Sequence, residues 1–165
     1  MNPTIHFSTG RCALGTVLVA QNESGVCAIL LGDDSRRLER DLAACFPDAS
    51  LHRADSALLE KVVRFIERPG DALHLTLDMQ GTEFEQRVWR ALQKIPPAST
   101  VAYGELAARI GAPGAAKEVG EACAANGLAV AIPCHRVVRK DGGLAGYRWG
   151  VRRKRALLDL EKGHA

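Results

Sequence analysis

The sequence predicts a two-part α/β chain. An α/β portion over residues 1–79, with a small antiparallel sheet and covering helices, precedes a mostly helical portion over residues 80–165 that contains a helix-turn-helix. Three observations lead there. Two β-rich runs flank a turn early in the chain, helical apolar spacing dominates the second half, and 165 residues with 47% hydrophobic and 25% charged side chains suffice for one ordinary domain or two small ones. No apolar run reaches the roughly 20 residues that span a membrane. The N-terminus, MNPTIHFSTGRCALG, lacks the basic-then-apolar layout of a secretory signal. A cytoplasmic protein with no membrane partner is expected.

In the first portion, GTVLVAQ and GVCAILLGDD are β-rich, and Asn22-Glu23-Ser24-Gly25 between them has the composition of a hairpin turn. SRRLERDLAACF then places Leu38, Leu42, Cys45 and Phe46 at helical spacing behind Asp34 or Ser35 as N-cap. SALLEKVVRFIE repeats that spacing with Leu58, Leu59, Val62, Val63 and Ile66. ALHLTLDM alternates strictly through Leu73, Leu75, Leu77 and Met79, as a half-buried strand does. Nothing here points to chemistry: His6, His52 and His74 are scattered.

The second portion opens with Thr82 and Glu85 at capping-box spacing, followed by Phe84, Val88, Trp89 and Leu92 on a helix that Pro96-Pro97 ends. A helix from about Tyr103 to Ile110, a turn at Gly111-Ala112-Pro113-Gly114 and a helix from about Ala115 to Ala125 form the helix-turn-helix pattern. Many structural helix pairs share that pattern. Its position before a basic segment adds weight: Arg136, Arg139, Lys140, Arg148, Arg152, Arg153 and Lys154 face Asp141 alone. Such a segment is either a solvated helix face or the footprint of a polyanionic partner.

The five cysteines, Cys12, Cys27, Cys45, Cys123 and Cys134, form no CxxC and suggest no metal site. Cys134, in VAIPCHRVV, is either a small buried hydrophobe, the commoner role, or a reactive thiol. Pro133 is typical of a first helical position, which would set Cys134 at a helix N-terminus where the dipole favours a thiolate. His135 supplies a base, through a bridging water because adjacent side chains diverge, and Arg136 adds positive charge.

GTEFEQRVW, IP…TVAYGELA, ACAAN, IPCHRVV and GLAGYRWGVRRKRALL, in this order, resemble the O6-alkylguanine-DNA alkyltransferases, including the alkyltransferase domain of bacterial adaptive-response regulators. The likeness runs along nearly the whole chain. It implies a ribonuclease-H-like α/β portion and a winged-helix-like portion carrying the active site. Cys134 is then the alkyl acceptor, acting once per molecule. His135, a water and Glu161 form its proton relay, although on spacing alone Glu161 reads as a solvated helix residue. Asn126 matches the residue that joins the recognition helix to the active-site strand, and Tyr103 the tyrosine beside the flipped nucleotide. Tyr147 and the backbone around Val137 and Arg148 match the walls of the alkyl pocket. Arg136 is grouped with them as a substrate-side or DNA-side residue. The implied partners are duplex DNA, bound in the minor groove with an O6-alkylguanine flipped out (O4-alkylthymine being a second substrate), and free O6-alkylguanine analogues. No cofactor and no metal are implied, and a monomer is expected.

The sequence departs from the family pattern on its second helix. Lys117 stands seventeen positions before Cys134, where the family has an arginine that fills the gap left by the flipped base. A lysine matches its charge but not its planar, stacking shape. Glu118 and Glu121 occupy neighbouring DNA-facing positions, and carboxylates there oppose the charge neutralisation that drives binding to phosphates. Ala98 replaces a usual glycine. These changes predict intact transfer chemistry with weakened DNA engagement, as in a variant adapted for self-labelling by benzylguanine-type compounds. Two rivals remain: a DNA-binding module with a structural cysteine, and a Cys-His hydrolase, for which the adjacent Cys-His pair is the wrong arrangement.

Overall fold

The computed structural model describes residues 3–69, 73–144 and 146–163. The chain divides into two compact units, Met1–Met79 and Gln80–Ala165. Among the described residues no helix is long and apolar enough to cross a membrane.

The first unit is built on a four-stranded sheet in the order β3-β2-β1-β4. Strands β1 (Thr4–Cys12), β2 (Gly15–Asn22) and β3 (Gly25–Gly32) form an antiparallel meander. Val17 to Ala20 and Val26 to Leu31 are buried without interruption, and such continuous apolar runs mark strands with both faces covered. Helix α1 (Ser35–Cys45) buries Leu38 and Leu42, and α2 (Ala57–Glu67) buries Val62 and Ile66. Asp34 and Ser56 cap them by accepting from the Arg36 and Leu58 amides.

Three expectations change here. The sheet is mixed rather than antiparallel, because β4 (Ser50–Arg53) returns after α1 and lies parallel to β1. A strand–helix–strand crossover imposes that direction. Strands β1 and β4 themselves carry too many polar residues to stand out by hydropathy. The alternating segment expected as a strand begins at Ala72, outside the described residues; its described part makes only one parallel bridge, Val26 with Leu77. The Val26 amide donates to the Thr76 carbonyl and the Asp78 amide to the Val26 carbonyl, both at 2.8 Å. Gly25, at φ +137, lets this segment approach: a Cβ there would lie 2.5 Å from the Thr76 carbonyl oxygen. Cys45, placed on an apolar face by its spacing, is exposed at the last residue of α1.

The second unit packs helices around a short parallel pair of strands. Helix α3 (Glu83–Leu92) begins with the expected capping box, Thr82 and Glu85 each accepting from the other's amide. Strand β5 (Val101–Ala102) leads directly into α4 (Tyr103–Arg109), and α5 (Ala116–Ala124) follows after a turn in which Gly111 and Gly114 have positive φ. Strand β6 (Val137–Val138) pairs parallel with β5, Val101 opposite Val137. Helix α6 (Val151–Gly163) ends the described chain. The buried Trp89 indole donates to the Ala122 carbonyl at 2.9 Å and so fastens α3 to α5. The Arg87 guanidinium donates to the Ile110 carbonyl at the end of α4.

Candidate active site

Cys134 lies on a loop held by one side chain. Asn126, buried just after α5, accepts from the Leu128 amide at 2.8 Å through Oδ1, while its Nδ2 donates to the Ile132 carbonyl at 2.9 Å and to the Cys134 Sγ at 3.2 Å. The residues between turn rather than extend, so Asn126 leads into a loop and not into the strand expected ahead of the cysteine. Val130 within it has φ +62, a costly conformation for a β-branched residue and one that persists where the surroundings over-determine it.

The expected helix N-terminus is also absent. Cys134–Arg136 form a single 3-10 turn, with Pro133 outside it as N-cap. A three-residue turn has no macrodipole of consequence, and Cys134 is only 4% exposed. Burial pushes its thiol above the ordinary value, opposed by the Asn126 hydrogen bond and by the charges of Lys154 and Arg148. At rest the sulfur therefore carries its proton.

Behind it stands a buried ionic chain. His135 Nε2 is 3.2 Å from Glu161 Oε1. The Arg136 guanidinium donates from Nε to both Glu161 oxygens, at 3.1 and 2.8 Å, and from Nη2 to Oε2 at 2.5 Å, while Nη1 reaches the Ile95 carbonyl at 2.6 Å. All three side chains are buried, so Glu161 is not a solvated helix residue. Burial pushes its pKa up, but the His135 and Arg136 contacts outweigh that and hold the carboxyl below its usual range. Burial holds His135 below its usual value despite Glu161. An ionised Glu161 only accepts hydrogen bonds. The neutral imidazole must then carry its proton on Nε2, leaving Nδ1 as an acceptor. That atom is buried and has no hydrogen-bond partner among the described residues.

Arg136 requires a correction. The resemblance places it with the substrate-side residues, whereas its guanidinium is buried and bonded to Glu161 and the Ile95 carbonyl, behind the cysteine. Bidentate pairing of this kind is how a buried arginine is satisfied.

In front of Cys134 lies a cavity of about 440 Å³, lined among others by Tyr103, Lys117, Gly120, Cys123, Tyr147 and Arg148. Tyr103 is the first residue of α4, and burial, then the Cys123 and Cys134 sulfurs, push its hydroxyl up to about 12. The Tyr147 hydroxyl is buried without a partner among the described residues, and its ring meets Trp149 edge-on at 5.4 Å. Arg148 donates to the Asn126 carbonyl at 2.9 Å and lies over the Trp149 ring. Lys117, Glu118 and Glu121 are exposed on α5. Val137, expected at a pocket wall, is buried in β6 and does not line the cavity.

Sequence reasoning missed two residues. Lys154, counted only as part of a basic segment, is fully buried (0% exposed). Its Nζ lies 5.8 Å from the Tyr103 ring centroid and 3.5 Å from the Gly146 carbonyl oxygen, and it has no carboxylate partner among the described residues. Burial lowers its pKa, while the Cys134 and Cys123 sulfurs favour its charged form. The available signal was spacing: Lys154, Leu157 and Glu161 share the buried face of α6. Cys123, which no spacing or neighbour marks in the sequence, lines the cavity.

A family model described as "6-O-methylguanine DNA methyltransferase, DNA binding domain" matches residues 83–163. The bifunctional transcriptional activator/DNA repair enzyme Ada of Escherichia coli is 48% identical over 163 residues, which make up 97% of this chain and 46% of that protein. The chain thus spans about half the length of Ada. The methylated-DNA–protein-cysteine methyltransferase of Mycolicibacterium paratuberculosis is 45% identical over 113 residues, 68% of each chain. Among solved structures, Mycobacterium tuberculosis OGT in complex with DNA superposes with a TM-score of 0.81 at 35% identity, covering 97% of this chain and 94% of that one.

Proposed function

The chain belongs to the methylated-DNA–protein-cysteine methyltransferase family, and from that premise we propose that it transfers an alkyl group from O6-alkylguanine in DNA to its own Cys134, once per molecule. The observation that carries this reading is the buried chain Arg136–Glu161–His135 behind a cavity-lining cysteine. It supplies what a protonated, desolvated thiol lacks, a route for its proton.

The Cys134 proton passes through a water to the free Nδ1 of His135. The imidazolium that forms is stabilised by Glu161, which Arg136 keeps ionised and oriented. The thiolate, offset by the buried Lys154 charge, attacks the carbon on guanine O6, and the carbon–oxygen electron pair returns to the base. Tyr103, whose raised value keeps its proton in place at neutral pH, donates to the ring as negative charge develops. The product is a thioether, which thiol exchange does not reverse. An O6 substituent cannot reach a protein sulfur from inside the base stack, so the nucleotide has to rotate out into the cavity. Tyr147 and Arg148 line its path, and Asn126 holds the acceptor. We read the first unit as ribonuclease-H-like, the second as winged-helix-like with α4 and α5 as its helix-turn-helix, and the setting as cytoplasmic.

The exposed Glu118 and Glu121 favour a narrower version of this function. They put two negative charges beside Lys117 on the helix that meets phosphates, so duplex engagement is weak while free O6-alkylguanine compounds still react. One experiment addresses both statements. The protein is incubated with O6-benzylguanine and, separately, with methylated duplex DNA; intact mass and peptide mapping follow. One adduct per chain at Cys134 is expected, forming readily with the small molecule and slowly with the duplex. An unmodified Cys134 with both donors overturns the function. Duplex binding as tight as that of a Glu118→Ala/Glu121→Arg variant overturns the weakened engagement.

A further inference from the structure

The alkyl transfer uses one of two sulfurs at the cavity. Cys123, in the last turn of α5 and 8% exposed, lines the same space as Cys134. Asn126 ties the two residues together: its amide donates to the Cys123 carbonyl at 3.2 Å and its Nδ2 to the Cys134 Sγ at 3.2 Å. Burial, and then the Cys134 sulfur, push the Cys123 thiol up to about 12, with Lys154 opposing. No disulfide involves either residue.

The donor set restricts what such a pair could hold. No group of three or more His, Cys, Asp or Glu side chains suited to a metal ion occurs among the described residues, so the four-ligand arrangement of structural zinc is not available. Hard cations prefer oxygen to sulfur. Two neutral thiols in an apolar cavity suit a soft centre that brings one organic substituent and needs only two sulfur bonds. The Lys154 charge compensates any negative charge that develops on the sulfurs as those bonds form.

We propose that Cys123 and Cys134 form a dithiol site for monosubstituted trivalent arsenicals, and that filling it blocks the alkyl acceptor. The blocking clause rests on the assignment of Cys134 as acceptor; the binding does not. In the reaction an organoarsenic oxide loses its oxygen as water together with the two S–H protons, and two arsenic–sulfur bonds form. Arsenic stays trivalent, so no oxidant or reductant is needed. The cavity is large enough for a phenyl substituent.

Phenylarsine oxide is the probe, used with the full chain in excess glutathione, which strips arsenic held by a single sulfur. The expected result is one phenylarsenic group per chain, loss of two titratable thiols, and a cross-linked peptide pair containing Cys123 and Cys134. Cys123→Ser and Cys123→Ala, each checked for native circular dichroism, should weaken retention roughly a hundredfold or more, because a chelate becomes a single bond. Cys45→Ser should change nothing. Retention by both Cys123 variants as tight as by the parent, or no retention by the parent, overturns the site. The two assignments fail separately. A chain that holds the arsenical but takes no alkyl group from O6-benzylguanine keeps the dithiol site and loses the acceptor; the reverse result keeps the acceptor and loses the site.

Discussion

The two units bury different kinds of side chain. In the first, the buried polar residues among those described are Ser8 and Thr16, both neutral and small, within an apolar core running from Ile5 to Ile66. In the second, Asn126, His135, Arg136, Lys154 and Glu161 are all buried, and all belong to the loop bearing Cys134 or to the cluster around it. A buried charge costs several kcal/mol unless it is paired, and even a paired one is often no better than a hydrophobic replacement. A unit selected only to fold would not gather three such charges, with a neutral amide and an imidazole, in one place. The second unit accepts that cost around a sulfur, where it sets a tautomer, an orientation and a charge.

The largest effect that could break this contrast belongs to Glu161. Replacing it by Gln leaves the Arg136 guanidinium buried without a counter-charge, an expected loss of about 3 kcal/mol or more in urea unfolding. It also frees the His135 tautomer, so the alkylation rate of the folded fraction should fall by about a hundredfold or more, as when a general base is lost. Arg136→Lys should recover much of the stability but little of the rate, because a point charge cannot hold both oxygens. A Glu161→Gln protein that folds and reacts normally would remove the functional meaning of the buried chain. The first unit supplies the control: Leu42→Ala, in an apolar site, should cost about 2–4 kcal/mol and leave the rate of the folded molecules unchanged.

The pH dependence follows from the same cluster. His135 is held below its ordinary value of 6.5 when folded, whereas in the unfolded chain it takes a proton near that pH. The unfolded state then binds more protons, so stability falls as pH drops through the window below about 6.5. Glu161 acts further down: its folded value is depressed, and its contribution, complete above the ordinary 4.5, disappears as pH falls through the lower folded value. The alkylation rate should stay flat to pH values below 6.5 and then decline. A rate that already halves near 6.5 would place His135 in ordinary solvent. Lys154→Met should have the opposite signs for the two measurements, stabilising the protein by about 1 kcal/mol through removal of an unpaired buried charge while slowing alkylation about tenfold. A slower protein with no gain in stability would mean that Lys154 is satisfied in a way its contacts do not reveal.

Legibility in the sequence followed the same division. Helices α3, α4 and α5 were readable because a capping box on α3 and prolines and glycines around all three mark their ends locally. Strands β1 and β4 were not, because TIHFSTGRC and SLHR mix polar and apolar residues and become strands only through pairing with β2 and with each other. The cysteine stood out through its neighbours, but the reason first given for its reactivity, a helix dipole, depended on Pro133 opening a helix that the structure does not form. Arg136 and Lys154 defeated sequence reasoning for one shared cause. A basic residue in a basic segment reads as solvated, and only tertiary packing shows that these two point inward.

The smallest expected effect separates strain that serves the site from strain that does not. Among the described residues Val130 and Ala98 are the two non-glycine positions with positive φ, +62 and +67, and both are in the second unit. Val130 is buried in the loop that carries Cys134. Ala98 is exposed in a turn closed by the Ser99 amide donating to the Pro96 carbonyl at 3.2 Å. With Pro97 at the first central position and a positive φ at the second, this is the arrangement of a type II turn, whose second central residue is ordinarily glycine. The Ala98 Cβ works against that backbone, while a glycine would loosen the unfolded chain. The balance predicts that Ala98→Gly stabilises the protein by about 0.5 kcal/mol, raises the urea midpoint accordingly and leaves the alkylation rate untouched. If the midpoint rises and the rate holds, the cost carried by the second unit is partly incidental, and only the part around Asn126 and Val130 belongs to the chemistry. If the rate drops instead, the turn that leads into β5 and Tyr103 belongs to the site as well, and the boundary between framework and active site lies further from the sulfur than the buried cluster alone would put it.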